Sequence, residues 1–385
     1  MTHEVLDRVD EAAGFLRANT ALAESMGRLP DETAKQLREI GVIRMLQPAD
    51  YGGYEAHPKD FFEAVMAIGR SCGASGWISG VVGVHPWELA LMSRHLQEEV
   101  WGDEPDTWIA SPYSPKGIAR RVEGGYLVSG RWPFSSGTDH CKWAFLGAME
   151  ADSDGNVGSP PVGLHIVVPS HDYEIDHESW DVAGLSGTGS KDVIITEAFV
   201  PEYRTLNAAD LLDQTVAQGS DRWSTPLYRM PWSTIFPSAI TSAVLGACEG
   251  AIDSHLEYQQ GRISPITGPG TEDSIALHAA GQAASDVAAS KAQLLRNIEQ
   301  TFAVVSSGGT VDMKTRAAYR RDQVRCSWRA VEAIDRLVAL SGGNAMRLDN
   351  PVQRFWRDAH VGLHHAINVP NGVYQYYTTQ RMGID

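Results

Sequence analysis

The sequence predicts an α+β protein: an N-terminal α-helical domain, a middle antiparallel β domain and a C-terminal four-helix bundle, divided at 1–105, 106–206 and 207–385. Three observations carry this prediction. Apolar residues recur at helical spacing through the first third, β-branched and aromatic runs broken by Gly, Pro, Asn and Asp fill Trp108 to Tyr203, and four long amphipathic stretches follow. A chain of 385 residues exceeds one small core, so several layers are expected.

In the first part, Leu6, Val9, Ala13 and Leu16 mark one helix, and a second carrying Leu37 and Ile40 opens at Pro30-Asp31-Glu32, residues that suit a first turn. After a loop at Leu46–Gly53, helical spacing resumes over Lys59–Ser71, Gly76–Val84 and Pro86–Trp101. In the middle part, Gly117–Ser129 reads as two strands joined at Gly124-Gly125, because a two-residue hairpin turn needs positive φ. Further strands are expected at Trp108–Ala110, Trp143–Met149, Val162–Val168 and Asp192–Val200. No helix-length segment separates them, which favours an antiparallel sheet or small barrel over a doubly wound parallel sheet. The run Gly184–Ser190 departs from G-x-G-x-x-G and leads into no helix, so a Rossmann site is not expected. A mobile connector at Asn207–Ser224 precedes helices at Ile235–Gln260, Asp273–Val305, Lys314–Ser341 and Val352–Ile367, whose small-residue faces suit a bundle and a helix-built oligomer interface.

Composition narrows the function. With 32 basic and 48 acidic residues the net charge of −16 opposes nucleic acid and anionic membranes, yet leaves room for a local basic grip on one phosphate. Cys72, Cys141, Cys248 and Cys326 are widely spaced and form no C-x-x-C, which fits a reducing cytoplasm. The charged N-terminus has no apolar signal region, and the uncharged stretch Met230–Cys248, interrupted by Pro231 and Pro237, reads as a buried helix rather than a membrane span.

Four features carry candidate chemistry. Gly130–Gly137 places Trp132, a proline bend, Phe134, Ser135 and Ser136 between strands, where a flat aromatic ligand can stack and be hydrogen-bonded. A sheet-edge aromatic with turn serines is the ordinary alternative, but the second glycine- and hydroxyl-rich run, Trp180–Ser190, favours a ligand laid across the sheet. His360, His364 and His365 fall in one expected helix, with His365 about 100° from His364. No zincin glutamate or third ligand accompanies them, so no metal site is expected and general-base work is the functional alternative to a packed imidazole. His85, in Val84-His-Pro-Trp87, is the second histidine candidate, and Arg262 closes a long helix where its guanidinium suits either a phosphate or the helix C-terminus.

Two motifs, Gly184 to Pro201 ending Thr196-Glu-Ala-Phe-Val-Pro201 and Pro351-Val-Gln-Arg-Phe-Trp-Arg-Asp358, resemble the acyl-CoA dehydrogenase superfamily, and the similarity runs along essentially the whole chain. The resemblance implies flavin between the β domain and the bundle, and a homotetramer. The glutamate base of the dehydrogenases is missing: its position holds Ala366, preceded by His365, and the alternative site early in the Ile235 helix has no Asp or Glu between Trp223 and Gly246. Gly130–Trp143 and Trp356–Asn368 look instead like the oxygenase components of two-component aromatic hydroxylases, such as the steroid-phenol and 4-hydroxyphenylacetate hydroxylases. That branch takes reduced flavin, FMNH2 or FADH2, from a separate NAD(P)H:flavin reductase and, with O2, hydroxylates a phenolic or polycyclic aromatic substrate ortho to its hydroxyl through a C4a-hydroperoxyflavin. The resemblance implies His365 as phenol base, His85 and Ser111 on the phenolic oxygen, and Ser136 beside the reacting flavin edge. It places Trp132, Phe134, Ser135, Thr188 and Ser190 in the flavin site and Arg262 on the flavin phosphate. An acyl-CoA dehydrogenase or oxidase with a relocated base, and a non-catalytic flavin-binding protein, are the rival readings.

Overall fold

A computed structural model describes residues 3–266 and 268–384. Seven helices come first: α1 (Glu4–Ala18), α2 (Thr20–Met26), α3 (Asp31–Ile40), α4 (Pro58–Ser71), α5 (Gly73–Gly83), α6 (His85–Leu89) and α7 (Arg94–Trp101). The buried stripe of α1 is Val5, Val9, Ala12 and Leu16, so Leu6 and Ala13 sit one position round from the expected face. The single helix expected over Pro86–Trp101 is two, because the chain turns at Ala90–Met92 and Ser93 caps α7 by accepting from the Leu96 amide at 3.2 Å.

The sheet follows as β1 (Ile109–Ala110), β2 (Pro115–Val122), β3 (Gly125–Ser135), β4 (Trp143–Ala151), β5 (Gly163–Pro169), β6 (Glu174–Asp176), β7 (Lys191–Pro201) and β8 (Thr205–Asn207). Its order is β6-β7-β3-β2-β4-β5-β8, with β1 also on β4. The hairpin forms, but its two-residue turn is Glu123-Gly124 rather than Gly124-Gly125: Gly124 takes φ 79°, and Gly125 already pairs with Val122 as the first residue of β3. The all-antiparallel expectation needs correction: β1 and β2 both pair with β4 in parallel. The free edge of β3 is taken by β7, so β4 crosses to the other edge of β2 and runs in the same direction as it.

The connector carries regular structure. It holds α8 (Ala208–Leu212), α9 (Thr215–Gly219) and a 3-10 turn (Asp221–Ser224), anchored by the buried Arg222 on Asp50 at 2.8 Å and Gln97 at 2.8 Å. The last part contains α10 (Trp232–Gly261), a short hairpin of β9 (Ile263–Ser264) and β10 (Gly268–Pro269), α11 (Ser274–Ser306), α12 (Met313–Ala339), α13 (Pro351–Leu363) and α14 (Pro370–Met382). Helix α10 is long and apolar enough to cross a membrane, but 94% of its apolar window is buried inside the protein. The four cysteines are free and buried.

The helix expected to run to Ile367 stops at Leu363. His365 is extended, with φ −58° and ψ 139°, because Asn368 turns its amide back onto the Gly362 carbonyl at 3.2 Å and Pro370 disfavours a helical Val369.

Helices α4, α5 and α10 meet through glycine. A Cβ on Gly76 would lie 2.3 Å from the Cα of Gly69, and one on Gly246 would lie 2.9 Å from the same atom. This contact seats α5, buried along its whole length, between the bundle and the sheet. Substituting Gly76→Ala is expected to destabilise the fold by about 1–3 kcal/mol through overpacking, read as a lower melting temperature; an unchanged melting temperature would contradict this backbone contact.

Candidate active site

The site is assembled around Trp77 of α5. Its indole N–H donates to Ser136 Oγ at 3.0 Å, and the edge of the same ring meets His365, with centroids 5.8 Å apart. The two segments singled out in the sequence therefore meet through one side chain that the sequence reading did not name.

Ser136 is presented by a break in β3. Pairing with β7 shifts register between Trp132 and Ser135, Phe134 adopts φ 68°, and the Ser136 amide donates back to the Phe134 carbonyl at 3.0 Å. The reversal turns Ser135 and Ser136 inward and leaves Phe134 66% exposed, edge-on to Trp180 with centroids 6.0 Å apart. A row of hydroxyls continues from Ser136 to Ser190 at 2.7 Å, from Ser190 to Thr188 at 2.7 Å, and from Thr188 to the Leu185 carbonyl at 2.7 Å. Since the row starts at an N–H and ends at a carbonyl, each hydroxyl donates toward Leu185, and Ser136 keeps a lone pair to accept from a ligand N–H. Ser135 is fully buried with its hydroxyl unpartnered. An exposed aromatic pair beside these hydroxyls, one of them orphaned, fits a flat heterocycle with N–H and C=O edges such as flavin.

The loop carrying Thr188 and Ser190 is pinned to α13 by the late motif. Asp358 accepts from the Leu185 amide at 2.6 Å, Arg357 donates to the Ala183 carbonyl, and Arg357 also pairs with Glu24. Burial pushes the Asp358 carboxyl up to about 6.

His365 is half-buried beside Phe236, with centroids 6.2 Å apart. Burial, with the positive charge of Arg320, pushes its pKa down to about 4. Its Nδ1 accepts from the Ile367 amide at 3.2 Å, so the neutral ring carries its proton on Nε2 and offers a donor there. His85 is fully buried and in the opposite tautomer: Nδ1 donates to the Ile109 carbonyl, while Nε2 has no partner among the described residues. Burial pushes its pKa down to about 4 as well. Between the two histidines lie Tyr113 and Phe236, with Tyr113 5.7 Å from His85 and 5.2 Å from Phe236. The hydroxyl of Ser111 lies beside that of Tyr113.

Two candidates sit elsewhere. Trp132 is fully buried and donates to the Gly147 carbonyl at 2.6 Å, packed over Gly117, so its side chain supports the sheet from within and offers no face to a ligand. Arg262 ends α10, about 39 Å along the axis from Phe236, and is held by Gln259 at 3.3 Å and Asp273 at 3.6 Å. Within one chain it does not join the aromatic site. His360 and His364, which the expected helix put on one face, pair with Asp335 at 2.7 Å and with the His360 carbonyl at 2.8 Å. Among the described residues no group of three or more side chains is placed to hold a metal ion.

The sequence reading missed Trp77, Tyr113, Glu88 and Phe236. Glu88 is a buried carboxylate beside the site, but it already accepts from Tyr113 at 2.7 Å, from Trp232 at 3.2 Å and from His165 at 2.6 Å. A carboxylate committed to three donors is a poor base for a C–H bond, which removes the relocated dehydrogenase base its nearest candidate.

Fold and site together define a flavin-using oxygenase built on the acyl-CoA dehydrogenase architecture. Residues 238–370 match the family model for the acyl-CoA dehydrogenase C-terminal domain. The chain is 48% identical over its whole length to a pigment production hydroxylase of Rhodococcus erythropolis, covering 98% of that protein. It is 40% identical over 98% of its length to the oxygenase subunit HsaA of a flavin-dependent monooxygenase from Rhodococcus jostii, covering 98% of that subunit. The structure of XiaF from Streptomyces in complex with FADH2 and glycerol aligns with 99% of this chain and 96% of its own at a TM-score of 0.92 and 26% identity. The chain belongs to the acyl-CoA dehydrogenase superfamily, in the branch of flavin-dependent monooxygenase oxygenase subunits.

The two histidines also set an acid response. Both have folded pKa values near 4, below the ordinary 6.5, so the stability they contribute is complete above about 6.5 and is lost as pH falls through 4. The melting temperature is expected to fall across that window, and His365→Asn is expected to make the fall shallower; a variant with the wild-type slope would contradict the neutral, buried imidazole.

Proposed function

We propose that this chain is the oxygenase component of a two-component monooxygenase that hydroxylates a phenolic or polycyclic aromatic substrate ortho to its hydroxyl. The observation that carries the reading is the pair of neutral histidines in opposite tautomers at the two ends of an aromatic wall, where a dehydrogenase would need a free carboxylate. Reduced flavin, as FMNH2 or FADH2 delivered by an NAD(P)H:flavin reductase, would supply the two electrons that activate O2, one atom of which is delivered to the ring while the other leaves as water.

The chain's own residues bind, orient and move the proton. Ser136, its own proton held away by Ser190 and Thr188, would accept from the flavin N–H edge, and Phe134 and Trp180 would cover the ring system. His85 Nε2 accepts from the phenolic O–H, with Ser111 alongside, and His365 Nε2–H donates from the opposite end. This reverses the base assignment implied by family resemblance, because the lone pair that a base needs is free on His85 and engaged on His365. Full transfer from a phenol near 10 to an imidazole near 4 costs about 8 kcal/mol, so the proton leaves as the ring is attacked rather than beforehand. The surrounding Trp77, Phe236 and Tyr113 exclude water from the reacting oxygen. Arg262, remote from this site in its own chain, meets a flavin phosphate across a subunit boundary in a homotetramer.

The test supplies reduced FMN or FADH2 from a separate reductase, with O2 and a panel of phenols, and looks for ortho-hydroxylated product. Absence of product across the panel, or dye reduction by acyl-CoA, would overturn the reading. His85→Gln is expected to lower hydroxylation about 100-fold or more while oxygen consumption continues as hydrogen peroxide release. Ser136→Ala is expected to raise the share of oxygen released as hydrogen peroxide; unchanged coupling would count against its place at the flavin.

A further inference from the structure

The wall between the two histidines is not held by its own packing alone. Tyr113 is its centre: the ring stacks on His165 with centroids 4.5 Å apart, stands edge-on to Phe236 and His85, and lies 6.2 Å from Trp232. Trp232 in turn stacks on Phe236 at 4.9 Å. Tyr113 belongs to the loop after β1, Trp232 opens α10 and His165 lies on β5, so three separate parts of the chain converge here.

They converge on one carboxylate. Glu88 of α6 is 1% exposed and, among the described residues, has no Lys or Arg ion pair, its charge being met by the Tyr113 hydroxyl at 2.7 Å, the Trp232 indole N–H at 3.2 Å and the His165 ring N–H at 2.6 Å. Burial works to raise its pKa, but His165 and Tyr113 outweigh that and hold the carboxyl below its ordinary value. A buried carboxylate is costly unless its lone pairs are met, and each donor meeting it is thereby fixed in direction. We propose that Glu88 is a positioning residue for the aromatic substrate: by orienting Tyr113 and Trp232 it sets the width of the wall between His85 and His365 and hence which aromatic ring fits there.

With Glu88 1% exposed and its oxygens taken by protein donors, its effect on a ligand passes through the two aromatic rings. Loss of the carboxylate therefore loosens substrate binding more than it slows the chemistry. The inference rests on the hydroxylase reading above, and the experiment separates the two. Wild type, Glu88→Ala, Glu88→Gln, Tyr113→Phe and the double variant Glu88→Ala/Tyr113→Phe are assayed for product with reductase-supplied FMNH2 and, separately, FADH2 on resorcinol, 4-hydroxyphenylacetate and 2-naphthol.

Glu88→Ala is expected to raise KM by about ten- to a hundredfold while kcat changes far less, since a hydrogen bond to a charged group carries about 1.5–3 kcal/mol. Tyr113→Phe is expected to raise KM in the same sense, and the double variant to fall well short of the product of the two, because both remove one interaction. Glu88→Gln retains an acceptor and is expected to restore part of the loss. If Glu88→Ala does not fold, Glu88→Gln and its combination with Tyr113→Phe are read instead, with the same shortfall expected. An unchanged KM, equal losses in KM and kcat, or fully multiplicative effects overturn the positioning role and leave the hydroxylase reading standing. A wild type that hydroxylates none of the three phenols overturns that reading and this inference with it.

Discussion

The interaction on which the site depends is the hydrogen bond from the Trp77 indole to Ser136. It joins the N-terminal helices to the break in β3, and the same ring packs against His365 at the end of the bundle, so three parts of the chain are referenced to one side chain. Trp77 can hold them only because α5 itself cannot move: the glycine contacts with α4 bring backbones together at distances no side chain permits. The order of causes runs from three glycines, to a buried helix, to a fixed indole, to a hydroxyl aimed at a ligand edge.

A second constraint is electrostatic. A protein with a net charge of −16 builds its reactive site from neutral groups: aromatic rings, hydroxyls and two imidazoles whose burial disfavours the charged form. The carboxylate against the aromatic wall, Glu88, is met by three donors, Tyr113, His165 and Trp232. Such surroundings favour an uncharged, planar ligand and strengthen each hydrogen bond made to it, because few competing charges and little water remain nearby.

What was legible in the sequence was what local pattern determines. The hairpin turning at Gly124, the long bundle helices and the late Arg357-Asp358 motif each declare themselves within a few residues, and the missing carboxylate at Ala366 follows from the last of these. Trp77 was not legible, because its partner is 59 residues away and a tryptophan in a fully buried helix reads as core. Tyr113 and Glu88 were hidden for the same reason, 25 residues apart and on different elements. Trp132 misled in the opposite direction: an aromatic in a glycine-rich turn reads as a ligand platform, yet the bulge turns Phe134 outward and Trp132 in. The parallel β2–β4 pairing was out of reach because periodicity assigns strands but not their neighbours.

The histidines carry the last step. Sequence alone treats His85 and His365 as interchangeable imidazoles, and the resemblance ranks His365 first as base. Backbone geometry separates them. A carbonyl at Ile109, fixed by the pairing of β1 with β4, holds the His85 proton on Nδ1, while an amide at Ile367, placed by the turn after α13, holds the His365 proton on Nε2. One ring therefore presents an acceptor and the other a donor, although burial has driven both toward the same low pKa. The division of labour is set by which backbone group each ring meets and not by how strongly each ring binds a proton, so the irregular ends of β1 and α13, rather than the regular elements, decide the chemistry.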